Sequence, residues 1–214
     1  MIRQGRVTVA GRIVLDPESP TLESEPSIQL DGLTPQPARR YLMLNKPRGL
    51  VTTAQDEHAR ETVYQCFEGA GLGWIAPVGR LDKASEGLLL FSNDPAWAAS
   101  ITDPASGPTK TYHVQVDALP DEALLRRMET GIDDGGEQLA VSRVHLLRSG
   151  ERNAWLEIEL DEGRNRQIRR ILAALDLEVL RLVRVAIGPL ALGDLAKGAW
   201  RDLTEAEITA LRGG

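Results

Sequence analysis

The stretch of residues 79–94 places one carboxylate where it could do chemistry. Asp82 lies in a short polar segment bounded by Gly79 and Gly87, and the apolar residues 88–91 follow directly. Such a run is typical of a strand buried on both faces, so we expect the aspartate at the rim of a cleft, on a rigid support. There it could act as a nucleophile or as a general base. The alternative is a turn aspartate that only hydrogen-bonds its own backbone.

A second segment, residues 162–170, carries four arginines at the start of a predicted amphipathic helix. If Asn165 is the N-cap, apolar residues follow at the helical spacing i, i+3, i+4 and i+7. These residues are Ile168, Ile171, Leu172 and Leu175. Arg169 flanks this stripe, so we predict that it is half-buried and forms a buried ion pair with Asp82. The others, Arg164, Arg166 and Arg170, are predicted to bind phosphate, or else to form a solvated basic face.

These two motifs, with Lys110-Thr111-Tyr112 and residues 179–190, resemble the pseudouridine synthases of the RsuA-like family, which act on bacterial ribosomal RNA. The similarity is to the large-subunit, RluE-like branch, and it extends from about residue 41 to residue 203. It implies that Asp82 catalyses the isomerisation of uridine to pseudouridine without a cofactor. In this reaction the bond between N1 and C1′ breaks, the base rotates, and C5 becomes bonded to C1′.

The resemblance also implies roles for individual residues. Arg169 matches the arginine that the family pairs with its catalytic aspartate, and Tyr112 matches the tyrosine that stacks on the target base. Without the resemblance, an aromatic side chain on an apolar strand face would be interpreted as part of the core. Arg80 matches an arginine that enters the RNA stack as the uridine leaves it. Further matching residues are expected to contact RNA: Lys46, Lys110, Arg181 and Arg184.

Composition narrows the classes of protein that remain. The 214-residue chain has a net charge of −6, unlike domains that bind nucleic acid through bulk positive charge, so RNA binding must depend on local patches. The single cysteine, Cys66, excludes an intrachain disulfide and the zinc site of a base deaminase. No apolar run could span a bilayer, and the N-terminus lacks the apolar centre of a signal peptide. We therefore expect a cytoplasmic monomer with no metal and no cofactor.

The predicted elements alternate between strands and helices. Residues 1–33 contain a predicted hairpin turning at Ala10-Gly11 and resemble the second half of an S4 RNA-binding domain, without the helices that precede it in that family. A linker with two prolines follows at 34–39, and a catalytic domain at 40–214. Strands are predicted at 41–44, 87–90, 110–117, 140–147 and 154–160, and helices at 61–67, 95–102, 122–130, 166–175 and from 205 onwards. This order indicates an α+β fold with a central mixed or antiparallel sheet flanked by helices, plus a small N-terminal β segment.

Two other functions remain compatible with the sequence. A non-catalytic module for ribosomal RNA binding or ribosome assembly could share the scaffold, although Asp82, Tyr112 and Arg169 together argue against it. A glycosidase would need a second acid near Asp82, and Glu86 is the local candidate. We predict the synthase. Because an intact S4 domain is missing, the expected partner is 23S rather than 16S ribosomal RNA, free or in a ribosomal assembly intermediate.

Overall fold

The computed structural model describes residues 6–9, 11–16, 19, 28–30, 38–53 and 60–212. The chain divides into two compact units, residues 1–38 and 39–214. Most of the predicted linker, residues 34–37, lies outside the described residues.

The N-terminal unit contains a small antiparallel sheet. Strand β1 (Val7–Val9) pairs with β2 (Arg12–Val14) on one side and with β3 (Ile28–Leu30) on the other. Gly11 has a φ of +77°, a left-handed conformation that glycine adopts without steric cost. The predicted hairpin is therefore confirmed, and a third strand extends it.

The larger unit is built on a mixed sheet, to which the described residues contribute nine strands. In chain order they are β4 (Tyr41–Lys46), β5 (Ala76–Val78), β6 (Glu86–Ser92), β7 (Lys110–Val116), β10 (Arg143–Ser149), β11 (Ala154–Leu160), β12 (Val179–Ile187), β13 (Leu190–Ala191) and β14 (Trp200–Asp202). The spatial order is β10-β11-β7-β12-β6-β4-β14, with β13 paired to β12 and β5 paired to β6. A separate hairpin joins β8 (Ile132–Asp134) to β9 (Glu137–Leu139).

The pair of β6 and β12 is parallel, whereas the other pairs of this sheet are antiparallel. It joins the two halves of the sheet at Gly87, which lies opposite Arg184. All seven residues of β6 are buried, which confirms that the strand after Asp82 is covered on both faces.

Four α-helices and one 3-10 helix lie on this sheet within the described residues. They are α1 (Pro95–Thr102), α2 (Glu122–Thr130), α3 (Gln167–Ala174), α4 (Glu205–Arg212) and the 3-10 helix Val63–Phe67. Side-chain caps begin three of these helices. Asp94 accepts from the backbone of α1 and Asp121 from that of α2, while Thr204 and Glu207 hydrogen-bond reciprocally as a capping box.

Apolar residues form three clusters on this scaffold. One lies between helices α2 and α3 and the strands β7, β10 and β11. Another lies under α1 and α4, against β4 and β6, and the third lies under the 3-10 helix. The sheet is mixed and its helices flank it, so the predicted α+β class is confirmed.

Three local predictions differ from the structure. The helix predicted at 61–67 is a 3-10 segment over Val63–Phe67, and Thr62 makes no side-chain cap. The strand predicted from residue 140 begins at Arg143, because the backbone N–H of Val141 donates instead to Met128 at the end of α2. The N-cap of α3 is Arg166 rather than Asn165. Among the helices of the described residues, none is long and apolar enough to cross a membrane.

Candidate active site

Asp82 lies in the loop that connects β5 to β6, and backbone contacts hold this loop on both sides. The Thr52 hydroxyl donates to the carbonyl of Leu81 (2.7 Å), and the Gly49 N–H donates to the carbonyl of Lys83 (2.8 Å). The carbonyl of Asp82 itself accepts from the N–H of Ser85 (3.0 Å). The carboxylate is thus carried on a fixed backbone, while 37% of the side chain stays exposed.

Lys46 also holds the Asp82 loop in place. Its side chain is fully buried, and Nζ donates to the carbonyls of Pro47 (3.1 Å), Asp82 (3.2 Å) and Ser85 (2.9 Å). Three acceptors match the three N–H groups of an ammonium. The prediction that Lys46 contacts RNA is corrected here, because a side chain with no exposed surface stabilises the catalytic loop instead.

Burial lowers the pKa of Lys46 from 10.5 to about 8, although Asp82 and Glu86 oppose this shift by attraction. Between pH 8 and 10.5 the unfolded chain therefore binds a proton that the folded protein has lost, so stability rises with pH in this window. We expect the free energy of unfolding of the wild type to rise by at most about 3 kcal/mol from this group. Urea unfolding of wild type and Lys46→Met at several pH values checks this, since the variant should lack the rise. Parallel pH profiles would contradict it.

Two guanidinium groups face the Asp82 carboxylate from the start of α3. Arg166 Nη1 lies 3.7 Å and Arg169 Nε lies 4.0 Å from Asp82 Oδ2. Arg169 also donates through Nη2 to the carbonyl of Ala84 (3.2 Å), and only 15% of its side chain is exposed. Burial, aided by the charge of Arg166, lowers the pKa of Arg169 below its ordinary value.

This geometry corrects the predicted buried ion pair. Arg169 is half-buried as expected, but its partner Asp82 is partly exposed and the two groups are at the outer limit of an ion pair. Within the described residues, the Asp82 carboxylate accepts no short hydrogen bond. The arginines therefore attract the carboxylate from the Oδ2 side without a short hydrogen bond to it.

The turn before α3 positions these arginines, and a glutamine secures it. Arg166 has a φ of +50°, which lets the chain turn sharply into the helix. Gln167 is buried; its Nε2 donates to the carbonyl of Ala140 (2.8 Å), and its Oε1 accepts from the N–H of Arg164 (3.2 Å). Sequence reasoning missed Gln167, although a polar residue at the first position of a helix that starts inside a site is a usable signal.

Asp82 lines a cleft of about 600 Å³, and residues of α3, β7 and β12 form other parts of its wall. The cleft brings together most residues that the sequence singled out. They are Arg80, Asp82, Lys110, Tyr112, Arg164, Arg166, Arg169 and Arg184. Tyr112 is half-buried and packs against two of the apolar clusters, so one part of its side chain belongs to the core while another lines the cleft.

Three of the predicted RNA-binding arginines already contact carboxylates. Arg164 binds Glu162 and Glu137, and Arg170 binds Asp134 and Glu137. Arg181 binds Glu86 through two parallel hydrogen bonds of 3.1 Å. Arg184 differs from them: it is buried in the cleft floor, where its Nε donates to the carbonyl of Leu88 (2.7 Å). Nearby carboxylates therefore compensate much of the positive charge of Arg164, Arg170 and Arg181.

Glu86 does not have the properties of a second catalytic acid. Its carboxylate is buried and bound by both Arg181 and Lys197, whose Nζ lies 2.5 Å from Oε2. Burial alone would raise the pKa of Glu86, but the hydrogen bonds from these two cations outweigh it and lower the pKa below its ordinary value. A glycosidase acid must instead keep its proton, so the structure argues against the glycosidase interpretation.

Comparison with known proteins identifies the family. Residues 40–174 match the RNA pseudouridylate synthase family. The chain is 34% identical over 215 residues to ribosomal large subunit pseudouridine synthase B of Bacillus subtilis (strain 168), covering 99% of this chain and 87% of that protein. It is 38% identical over 176 residues to ribosomal large subunit pseudouridine synthase E of Xanthomonas campestris pv. campestris, covering 75% and 93%.

A solved structure agrees with these matches. A crystal structure of a pseudouridylate synthase superposes with a TM-score of 0.72 at 34% identity, covering 98% of this chain and 90% of its own. Sequence and fold thus agree over nearly the whole chain. The protein belongs to the RNA pseudouridylate synthase family, the isomerases that convert uridine in RNA to pseudouridine.

Proposed function

We propose that this protein isomerises a specific uridine of large-subunit (23S) ribosomal RNA, with Asp82 as the catalytic carboxylate. One observation carries the assignment of the residue. Within the described residues, two carboxylates line the cleft, Asp82 and Glu162. Glu162 is held by Arg164 Nε (2.9 Å) and Gln167 Nε2 (3.1 Å), whereas Asp82 is left free to react.

We propose that Tyr112 binds the base of the flipped uridine and that Arg80 fills the position that it leaves. Flipping a base out of the stack costs a few kcal/mol, and aromatic stacking offsets part of that cost. Tyr112 lines the same cleft as Asp82 and can accept the base on its ring, and Arg80 is exposed at the cleft and can enter the vacated position. Arg169 is proposed to orient Asp82, because it is anchored to the loop at Ala84 while it faces the carboxylate.

Charge in the cleft supports RNA as the substrate despite the net charge of −6. Arg80 and Arg166 line the cleft, where they can meet phosphates close to the target, and Lys110 adds a further positive charge there. RNA can bind Arg164, Arg170 and Arg181 only if a phosphate displaces their carboxylate partners or binds beside them. For residues 1–33, the partial resemblance to an S4 domain supports a proposal that this unit also binds RNA.

The ribosomal target is inferred from the relatives. Two proteins of 34% and 38% identity bear the name of large-subunit pseudouridine synthases, which favours 23S over 16S RNA and favours a catalyst over a non-catalytic assembly module.

Tritium release tests the proposed function. Forming the bond from C5 to C1′ expels the hydrogen at C5, so the protein should release tritium from large-subunit RNA labelled at uridine C5. Assays would compare free large-subunit RNA, free small-subunit RNA and partly assembled subunits of each type. Release from a large-subunit substrate alone supports the proposal. Release from a small-subunit substrate alone would contradict the target, and no release from any of them would contradict the function.

A further inference from the structure

The floor of the cleft contains two cations beside the proposed base-stacking tyrosine. Tyr112 on β7 lies directly opposite Arg184 on β12, and Lys110 lies two residues before Tyr112, on the same face of β7. All three line the cleft together with Asp82. A base stacked on Tyr112 would therefore lie next to both positive charges.

Arg184 is a buried charge without a counter-ion among the described residues. Only 6% of the residue is exposed, its Nε is used by the carbonyl of Leu88, and its Nη2 has no hydrogen-bond partner in the described part of the chain. Burying a cation without compensation destabilises a folded protein. An anion that is present in the cleft during the reaction would supply the counter-charge that Arg184 lacks.

Lys110 is the more accessible of the two cations. It is half-buried, and no hydrogen bond or ion pair joins its ammonium to another described residue. The carboxylate that attracts it, Asp161, is itself held by the Thr109 hydroxyl (2.7 Å). Burial and the charge of Arg184 lower the pKa of Lys110 below its ordinary value. The ammonium is therefore available to a ligand.

The surroundings strengthen any charge interaction at this place. Leu160, Leu182 and Ile187 line the cleft beside the two cations, and all three are buried. Coulomb attraction is stronger where apolar side chains replace water. Groups that are positioned before the reaction also need no reorganisation when charge develops.

The reaction of the proposed function creates such an anion. When the carboxylate acts on the sugar, either by bonding to C1′ or by removing a sugar proton, the bond between N1 and C1′ breaks. Its electron pair stays on the base, which becomes a uracil anion with charge shared among N1, O2 and O4. When C5 bonds to C1′ the base becomes neutral, and Asp82 is released from C1′ or returns the sugar proton. The C5 proton then leaves and N1 takes up a proton, which gives pseudouridine.

We propose that Lys110 binds this uracil anion and that Arg184 stabilises it from the cleft floor, so that the pair lowers the barrier to breaking the glycosidic bond. The inference rests on the proposed function and assigns the two residues to the base rather than to the RNA backbone. Lys110 is then a catalytic residue, and Arg184 acts on the base through the field at the cleft floor.

Single-turnover kinetics at saturating RNA separates this role from backbone binding. The proteins are wild type, Lys110→Met, Lys110→Arg and, as a control, Arg126→Met, whose arginine is exposed on α2. RNA affinity is measured in parallel. The substrates are ribosomal transcripts made with uridine or with 5-fluorouridine, whose fluorine stabilises the base anion. Loss of uridine or of 5-fluorouridine from the RNA is followed by nuclease digestion and chromatography, because 5-fluorouridine has no hydrogen at C5 and can rearrange only as far as the new bond between C5 and C1′.

With uridine, Lys110→Met should lower the rate constant about 100-fold, while the Kd for RNA stays within about twofold. With 5-fluorouridine the rate constant of the same variant should fall clearly less, because the fluorine already stabilises the base anion. Lys110→Arg should retain most of the activity, and Arg126→Met should match the wild type. If Arg184→Lys keeps the wild-type urea midpoint, it should also lose rate at an unchanged Kd.

Two results would overturn the inference while the wild type remains active. They are an unchanged rate constant in Lys110→Met and an equal loss with both bases. If the rate constant is unchanged and the Kd is raised, Lys110 is a phosphate contact. Inactivity of the wild type on every RNA would instead overturn the proposed function, and the inference with it.

Discussion

Replacing Asp82 with asparagine should abolish tritium release from uridine-labelled RNA, with a loss of about 10⁴-fold or more, as when a reacting group is removed. Asparagine keeps the shape of the side chain, and the contacts of the loop with Lys46 and Ser85 use the Asp82 backbone carbonyl. The free energy of unfolding should change by about 1 kcal/mol or less, because the Asp82 side chain is partly exposed and its ion pairs are long. RNA affinity should be retained.

Asp176→Asn is the matched control. Asp176 is exposed, and its φ of +56° is one that asparagine tolerates well. It should leave turnover at the wild-type level. Substantial turnover in Asp82→Asn would remove Asp82 from the catalytic role, and a parallel loss of RNA binding would mean that the carboxylate positions RNA rather than reacts.

Replacing Gly87 with alanine should destabilise the protein by about 3 to 5 kcal/mol, the sum of backbone strain and overpacking. Gly87 has a φ of +100°, and a Cβ there would overlap the carbonyl oxygen of Arg184 and lie 2.9 Å from its backbone nitrogen. The obstacle is backbone of the paired strand β12, which cannot move aside as a flexible side chain could. The urea midpoint measures the loss.

Gly49→Ala separates the two contributions. Gly49 has nearly the same φ, +102°, but a Cβ there would meet no atom within 4 Å. This variant should lose only the strain, about 1 to 3 kcal/mol. If both variants lose the same free energy, the close approach of β6 and β12 is not what requires glycine at position 87.

Gly87 also links stability to the site. The parallel pairing of β6 with β12 at this residue brings the Asp82 loop, which precedes β6, next to Arg184, and Arg184 in turn lies opposite Tyr112. A shift between the two strands would separate the carboxylate from the base-stacking ring. Gly87→Ala should therefore lower activity even under conditions in which it remains folded.

Much of the scaffold could be predicted because it depends on local interactions. The strand predicted at 154–160 and the helices predicted to begin at residues 95, 122 and 205 are confirmed. An alternating pattern or a capping residue specifies each of them over a few positions. The apolar run after Asp82 is buried on both faces, as its composition indicates.

What the sequence did not predict is the set of contacts made by charged and polar residues whose partners lie far along the chain. The sequence predicts an RNA contact for Lys46, whereas its carbonyl acceptors at Asp82 and Ser85 lie 36 and 39 residues away. Arg184 bonds to Leu88, 96 residues away, and Gln167 bonds to Ala140, 27 residues away. The sequence pattern around each residue is the same whether its side chain is buried or exposed. The pattern therefore does not predict the burial of that side chain.

The sequence by itself determined the candidate carboxylate, the α+β order of elements and the arginine-bearing helix, because these are written in short-range spacing and residue type. Only the tertiary structure decided that Asp82 is partly exposed beside Arg166 and Arg169, that Lys46 supports its loop, and that Arg184 and Lys110 share the cleft floor. The physical reason is that burial and ion pairing are set by strand register between distant segments, above all where β6 meets β12.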